Sequence, residues 1–224
     1  MRVKSNDQVL CPYKPVWNLP ASRFGNNRWI FYSTKLDRLV TSYSDLEHDH
    51  CVSVEADSRI VSYCEQPLRA RARTPSGFVT TVFDMWVLFN SGEEEFHEVK
   101  YHDQLKEPRV QRQLAVQRML CEQKAKRHEL FDEYRIRESP LYLTSWKFIL
   151  RCLASYHRQD LTNICDRVLQ ILPSGFKSLG DIHAAMDFPE HQVRVAVFRL
   201  LHKGEISAPL DSDKINNALR ITRI

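Results

Sequence analysis

The residues whose types and spacing carry the most chemistry are Asp84, then thirteen intervening residues, then Glu98-Val99-Lys100. Side chains alternate along a strand, so Glu98 and Lys100 share one face and Val99 points the other way. If Asp84 faces the same side from the adjoining strand, two carboxylates and one ammonium converge. Hard oxygen donors of this kind suit magnesium, which keeps several of its waters. A water acidified by the metal can attack a phosphodiester. Lys100 would hold that water or steady the charge on the pentavalent transition state. Glu47, at the start of a predicted helix, could complete the ligand set. Asp84 is expected mid-strand in an apolar run. Burying even a neutral polar group unpaired costs roughly 2–7 kcal/mol, so something should compensate it. Plainer readings exist: an Asp84–Lys100 cross-strand ion pair, and for Glu47 a capping-box carboxylate after Ser44.

These residues need a sheet to hold them. Phe78–Phe89 (FVTTVFDMWVLF) is rich in β-branched and aromatic residues and is expected to form one strand. Asn90-Ser91-Gly92 supplies a turn, and Glu95–Tyr101 alternates as the returning strand of a hairpin. Arg28–Ser33, Arg59–Glu65 and Leu68–Arg73 are further strands, and Ser44–Asp57 is a helix capped by Ser44. Leu105–His128 has a basic helical pattern with Pro108 in its first turn, and Glu129–Ile136 is expected as one more strand. Cys11–Pro20 is expected to be an irregular arm. The string Arg137-Glu138-Ser139-Pro140 marks a domain boundary, giving domains 1–138 and 139–224. After it come helices Ser145–His157, Asp160–Leu172, Leu179–Met186 and Pro189–His202. The last has Val193, Ala196, Val197, Leu200 and Leu201 on one face and Gly204 as its stop. Strands Glu205–Ala208 and Ala218–Ile224 complete a winged-helix outline.

Composition excludes several classes. The 224 residues suit one large or two modest domains. With 43% apolar and 27% charged residues, the chain is globular rather than disordered. It has only six glycines and no phosphate-cradling glycine motif. No apolar run reaches the 18 or so residues of a membrane span, and the first residues lack the apolar core of a signal peptide. Six cysteines without a CxxC pair predict a reduced, cytosolic protein with neither zinc nor disulfides. The net charge of +4 conceals alternating blocks. Residues 41–65 carry one basic and six acidic residues, whereas residues 100–128 carry eight basic and three acidic. Such blocks are either solvated faces or an acidic metal centre framed by surface that grips phosphates.

Asp84 with Glu98-Val99-Lys100 on adjoining strands resembles the PD-(D/E)xK nuclease superfamily. Tyr32-Ser33, Lys35, Arg38, Ser44-Asp45-Leu46-Glu47, Ser53, Glu55 and Glu65-Gln66-Pro67-Leu68, in this order, resemble one branch of it. That branch is the TnsA-like endonucleases of heteromeric cut-and-paste transposons. The resemblance spans roughly residues 30–102. It implies an α/β, restriction-endonuclease-like mixed sheet flanked by helices, followed by a mostly helical winged-helix-like C-terminal domain. It also implies a bacterial cytosolic, magnesium-dependent enzyme, with manganese as substitute, that cuts double-stranded DNA at the 5′ ends of a transposon. A DDE transposase, TnsB, would cut the 3′ ends, and an AAA+ ATPase, TnsC, would recruit both. Carried over, Glu47, Asp84, Glu98 and Lys100 match the catalytic pattern, with the Val99 carbonyl as a further metal contact. Phe83 departs from the pattern, replacing the superfamily's proline. The short N-terminal arm is expected to leave target choice to partners. Two rival readings are a stand-alone restriction or repair nuclease and a catalytically inert winged-helix adaptor.

Other residues have paired readings. Arg69, Arg71 and Arg73 lie on one strand face, either as phosphate contacts or as a charged edge against aggregation. Lys106, Arg109 and Arg112 are candidates for DNA contact, as are Lys124, Lys126 and Arg127, against a solvated helix face. Gln66 is a candidate to orient Glu47 or the DNA, against a plain buried amide. His48, His50, His97 and His102 lack convergent metal spacing and are given no metal role. His191 and Arg194 are candidates for contact with nucleic acid or protein.

Overall fold

In a computed structural model, which describes residues 11–16, 27–75, 77–172 and 175–224, the expected acidic hairpin forms. Strand β6 (Met85–Phe89) pairs antiparallel with β7 (Glu94–Val99), with Met85 opposite His97. Gly92 turns the chain at φ 88°, in the left-handed region that glycine enters at little cost. Strand β3 (Ile60–Glu65) adds antiparallel to the other side of β6, and β8 (Arg127–Phe131) adds parallel to β7. The sheet order is β3-β6-β7-β8, a mixed sheet with helices, as the restriction-endonuclease-like class requires. A 3-10 helix (His102–Lys106) and α2 (Pro108–Glu122) make the crossover from β7 to β8, with Pro108 at the start of α2. Such a parallel connection needs a dozen or more residues.

The single strand expected over Phe78–Phe89 is instead two strands. β5 (Gly77–Val82) ends before Phe83-Asp84 and pairs with β4 (Arg69–Thr74) as a separate antiparallel ribbon. Asp84 therefore occupies a break between strands, not mid-strand. The cause is local. Phe83 is drawn into a core with Trp86, Phe96, Cys64 and Cys121, while the Asp84 N–H donates to the His97 carbonyl at 3.2 Å. The Asp84 carbonyl accepts from Gln66 N–H at 2.9 Å. The expected helix Leu105–His128 is also shorter, ending in α2 at Glu122, and Arg127–Phe131 is strand. The strand expected over Glu129–Ile136 gives way to β8 followed by α3 (Glu133–Ile136). The expected arm Cys11–Pro20 is described only at 11–16.

The chain divides into two compact units. One comprises the described part of residues 1–29 with Thr41–His50 and Arg59–Arg135, and contains the four-stranded sheet. The other comprises Ile30–Val40, Cys51–Ser58 and Ile136–Ile224, so it draws two short segments from the first part of the chain. Strands β1 (Trp29–Ser33) and β2 (Arg38–Ser42) pair with each other. Helix α1 (Asp45–Ala56) starts with Ser44 Oγ accepting from Glu47 N–H at 3.1 Å.

In the second unit, α4 (Pro140–Ser155) is capped by Ser139, and α5 (Thr162–Ile171) follows. Then come β9 (Phe176–Ser178), α6 (Leu179–Ala184), α7 (Glu190–Lys203), β10 (Ile206–Ser207) and β11 (Arg220–Arg223). The three strands form an antiparallel sheet in the order β10-β11-β9. The apolar stripe of α7 is buried at Val193, Ala196, Val197, Leu200 and Leu201, and Gly204 caps it at φ 71°. Within the same unit Glu55 is fully buried and accepts from Ser33 Oγ at 2.7 Å, Lys35 N–H at 3.1 Å and His202 Nε2 at 3.1 Å. Lys35 Nζ donates to the Asp57 carbonyl at 2.8 Å. Burial pushes the Lys35 ammonium down to about 8, against the pull of Glu55 and Asp57. Among the described residues no helix is long and apolar enough to cross a membrane.

Candidate active site

Lys100 follows β7 and faces the same side as Glu98, as strand alternation requires. Its Nζ donates to Glu98 Oε1 at 2.5 Å, to Asp84 Oδ2 at 3.4 Å and to the Val99 carbonyl at 3.0 Å. Asp84 comes from the break before β6, and its Oδ2 also accepts from the Val99 N–H at 2.8 Å. Asp84, Glu98, Lys100 and the Val99 carbonyl thus meet at the end of the β6–β7 pair. The Val99 side chain is buried away from them. Asp84 is compensated by an ammonium and a backbone N–H, which meets the cost that a lone buried carboxylate would carry.

Glu98 is fully buried, and both its oxygens are claimed from α2. Gln113 Nε2 donates to Oε1 at 2.6 Å and Gln117 Nε2 donates to Oε2 at 2.6 Å. The two glutamines stand four residues apart, on one face of the helix. Gln117 has no exposed surface, and its Nε2 also reaches Thr81 Oγ1 of β5 at 2.9 Å, while its Oε1 lies 3.3 Å from His128 Nε2. The reading of the sequence did not find this clamp. Its one signal was the i,i+4 pair of amides on the helix that follows the Glu-x-Lys string.

Glu47 enters from the first turn of α1. Its Oε2 accepts from the Tyr43 N–H at 2.9 Å, one residue beyond the usual capping-box partner. Burial pushes the Glu47 carboxyl up to about 7, and the negative charge of Asp84 adds to this, against the Tyr43 hydrogen bond and Lys100. Burial likewise pushes Glu98 up to about 8, again helped by Asp84 and opposed by Lys100 and Gln117. Burial works against the Lys100 charge, but Asp84 and Glu98 outweigh it and hold the ammonium above its ordinary value. Fully ionised, the three carboxyls would outnumber the one ammonium, which is why burial and mutual repulsion keep Glu47 and Glu98 reluctant to ionise.

Among the described residues no three His, Cys, Asp or Glu side chains stand ready to hold a metal ion. Lys100 Nζ lies between Asp84 and Glu98, where it takes the oxygens a cation would use. The donor set itself fits a hard divalent ion: carboxyl and carbonyl oxygens only, with two carboxyls that resist ionising without more positive charge.

Behind the site, His50 Nε2 lies 3.0 Å from His97 Nδ1, and His97 Nε2 lies 3.3 Å from Glu95 Oε2. Burial holds both imidazoles below their ordinary value, His50 far below. Both are therefore neutral at pH 7.

The remaining sequence candidates separate into groups. Arg69, Arg71 and Arg73 are exposed on β4, and the Arg71 guanidinium lies 4.1 Å from the centre of the Phe78 ring. Lys106, Arg109 and Arg112 are exposed on the 3-10 helix and the first turns of α2. Arg109 is one helical turn before Gln113, so it faces the side of α2 that reaches Glu98. Lys126 and Arg127 are engaged differently: Lys126 pairs with Glu94, and Arg127 pairs with Glu95 at 3.1 Å and Glu129 at 3.3 Å. Gln66 meets the site through its backbone. It is left-handed at φ 44°, and its N–H and carbonyl bond to the Asp84 carbonyl and the Val16 N–H. Among the described residues it makes no hydrogen bond to Glu47.

Residues 57–133 match the family described as TnsA-like endonuclease N terminal. The match lies almost wholly within the sheet-bearing unit. The matched segment runs from before β3 to the end of β8. It therefore contains Asp84, Glu98, Val99, Lys100, the β4–β5 ribbon and both clamping glutamines, while Glu47 precedes the TnsA-like match. No curated protein matched the chain.

Proposed function

We propose that this protein is a magnesium-dependent DNA endonuclease of the TnsA type, with manganese able to substitute. It would act as the subunit of a cut-and-paste transposase that cleaves the 5′ ends of a transposon. The observation that carries this reading is the convergence of Asp84, Glu98 and Lys100, with Glu47 coupled to them by charge, inside the TnsA-like segment. Glu47, Asp84, Glu98 and the Val99 carbonyl would hold the metal, which when bound supplies an acidified water for attack at phosphorus. Asp84, fixed by the Val99 N–H, and Glu98, fixed by two amides, keep their oxygens oriented without reorganisation during the reaction. Lys100, kept charged by Asp84 and Glu98, would steady the negative charge that builds on the phosphate. Lys106, Arg109 and Arg112 would grip the duplex through its phosphates.

The partners under this reading are the DDE transposase TnsB and the AAA+ ATPase TnsC, in the bacterial cytosol. The domains would be a nuclease domain over 1–138 and a winged-helix-like domain over 139–224. The order helix, strand, helix, helix, strand, strand from α5 to β11 supports the latter. The test compares purified protein on transposon-end duplexes, with and without the DDE partner and magnesium. Cleavage that needs both supports the reading. Efficient cutting of plain DNA by the protein alone favours a stand-alone nuclease, and failure to cut or to bind magnesium under any condition favours an inert adaptor.

A further inference from the structure

The β4–β5 ribbon has two unlike faces. Ala70, Ala72 and Val79 are half-buried and Thr81 is buried, on the side that packs against α2. The opposite side presents Arg69, Arg71, Arg73, Phe78 and Thr80, all exposed, with Phe78 62% exposed. Register places Arg71 opposite Thr80 and Arg73 opposite Phe78. Among the described residues none of the three arginines forms an ion pair, and the exposed face contains no carboxylate.

We infer that this face is the seat of one strand of duplex DNA flanking the cut phosphate, which rests on the proposed nuclease reading. Three features commit it to that occupant. Alternate residues on a strand are about 7 Å apart, comparable to the separation of successive phosphates along one DNA strand, so the three arginines are rooted on the strand at matching pitch. Arginine binds phosphate oxygens through its planar fork, and the Arg71 guanidinium rests over the Phe78 ring, 4.1 Å from its centre. The ribbon is also rooted at the reacting centre. Its two ends join Gln66 and Phe83-Asp84, whose backbones bond to each other, and Thr81 of its inner face is bonded to Gln117, which clamps Glu98. DNA lying along the arginine row therefore leads to the carboxylates. A charged guard of a sheet edge would need charge but neither this pitch nor this root.

The experiment measures duplex affinity by fluorescence anisotropy in EDTA, over about 50–200 mM salt, for wild type and for R69A/R71A/R73A. Each lost phosphate contact lowers the slope of log affinity against log salt by about 0.9. The triple variant is therefore expected to lose close to 3 from the slope while keeping the wild-type circular-dichroism spectrum. R69K/R71K/R73K, which keeps the charges, is expected to retain most of the slope. If the triple variant does not fold, R73A alone carries the comparison, with an expected loss of about 0.9. A folded alanine variant with an unchanged slope overturns the proposal and leaves the nuclease reading standing. A wild type that binds no duplex at low salt, alone or with the proposed DDE partner, overturns both.

Discussion

The fully buried amide of Gln117 is a sharp point at which to test the site. Replacing it with leucine keeps the volume close and removes both donor and acceptor. Glu98 Oε2 then loses a 2.6 Å hydrogen bond, and Thr81 Oγ1 and His128 Nε2 lose their partners at 2.9 and 3.3 Å. A buried polar group left without its partner costs about 1–3 kcal/mol, more when charged. Partial rescue by Gln113 and Lys100, which still hold Oε1, keeps the sum for Gln117→Leu at about 2–4 kcal/mol. For a chain of this length that lowers the melting temperature by about 4–16 °C. Loosening a ligand's supporting hydrogen bond also costs about 10–100-fold in metal affinity or activity. Thermal melts by circular dichroism and single-turnover cleavage of an end-bearing duplex read the two effects. Gln113→Leu, at a half-buried position, is expected to cost less in stability. A Gln117→Leu protein that melts with wild type and cuts at the wild-type rate would refute the clamp.

Metal affinity is expected to rise with pH. Carboxylates must be ionised to ligate, and burial beside Asp84 pushes Glu47 up to about 7 and Glu98 up to about 8. Displacing both protons strengthens binding by up to about 100-fold per pH unit below 7 and about 10-fold per unit between 7 and 8. Manganese calorimetry in buffers of different ionisation enthalpy measures the protons released, and a flat pH profile contradicts the ligand assignment. The buried imidazoles give the opposite sign for acid. His50 and His97 sit below the unfolded value of about 6.5, so the unfolded chain binds more protons and stability is lost as pH falls below about 6.5. His50→Gln is expected to flatten that loss in denaturant melts at acidic and neutral pH; an identical acid sensitivity in the variant would exclude His50 as its source. In the second unit, Glu55→Ala removes the acceptor shared by Ser33, Lys35 and His202 and is expected to cost about 3 kcal/mol in urea unfolding. A cost below about half a kcal/mol, the scale of an ordinary surface substitution, would show that the network is dispensable.

The chemistry was legible where side-chain period decides it. Alternation placed Glu98 and Lys100 together, and the 3.6-residue period of Val193, Ala196, Val197, Leu200 and Leu201 marked the buried face of α7. What was not legible depended on contacts distant in sequence. Nothing in the apolar string around Phe83-Asp84 announces that Phe83 turns into the core and that Asp84 bonds to Val99, so one strand was expected where two exist. The end of α2 was missed for a different reason. The chain reverses at Ala125, left-handed at φ 51°, with Lys126 N–H bonded to the Cys121 carbonyl at 2.9 Å. That is the geometry in which glycine is the usual signal, and alanine gives none. Gln117 reads as an ordinary helix residue until Thr81 and Glu98 are seen on either side of it. Among the residues of the TnsA-like resemblance, Ser33, Lys35 and Glu55 belong to the buried network of the second unit rather than to the acidic site. Resemblance alone cannot separate residues that hold the fold from those that do the chemistry.

The most direct measurement is strand-specific cleavage of a transposon-end duplex by the protein with the proposed DDE partner and magnesium, comparing wild type with Asp84→Ala and Lys100→Ala. The site described here predicts 5′-strand cleavage by wild type, its loss in both variants, and unchanged 3′-strand cleavage by the partner. Wild-type 5′-strand cleavage by the Asp84→Ala protein would contradict it.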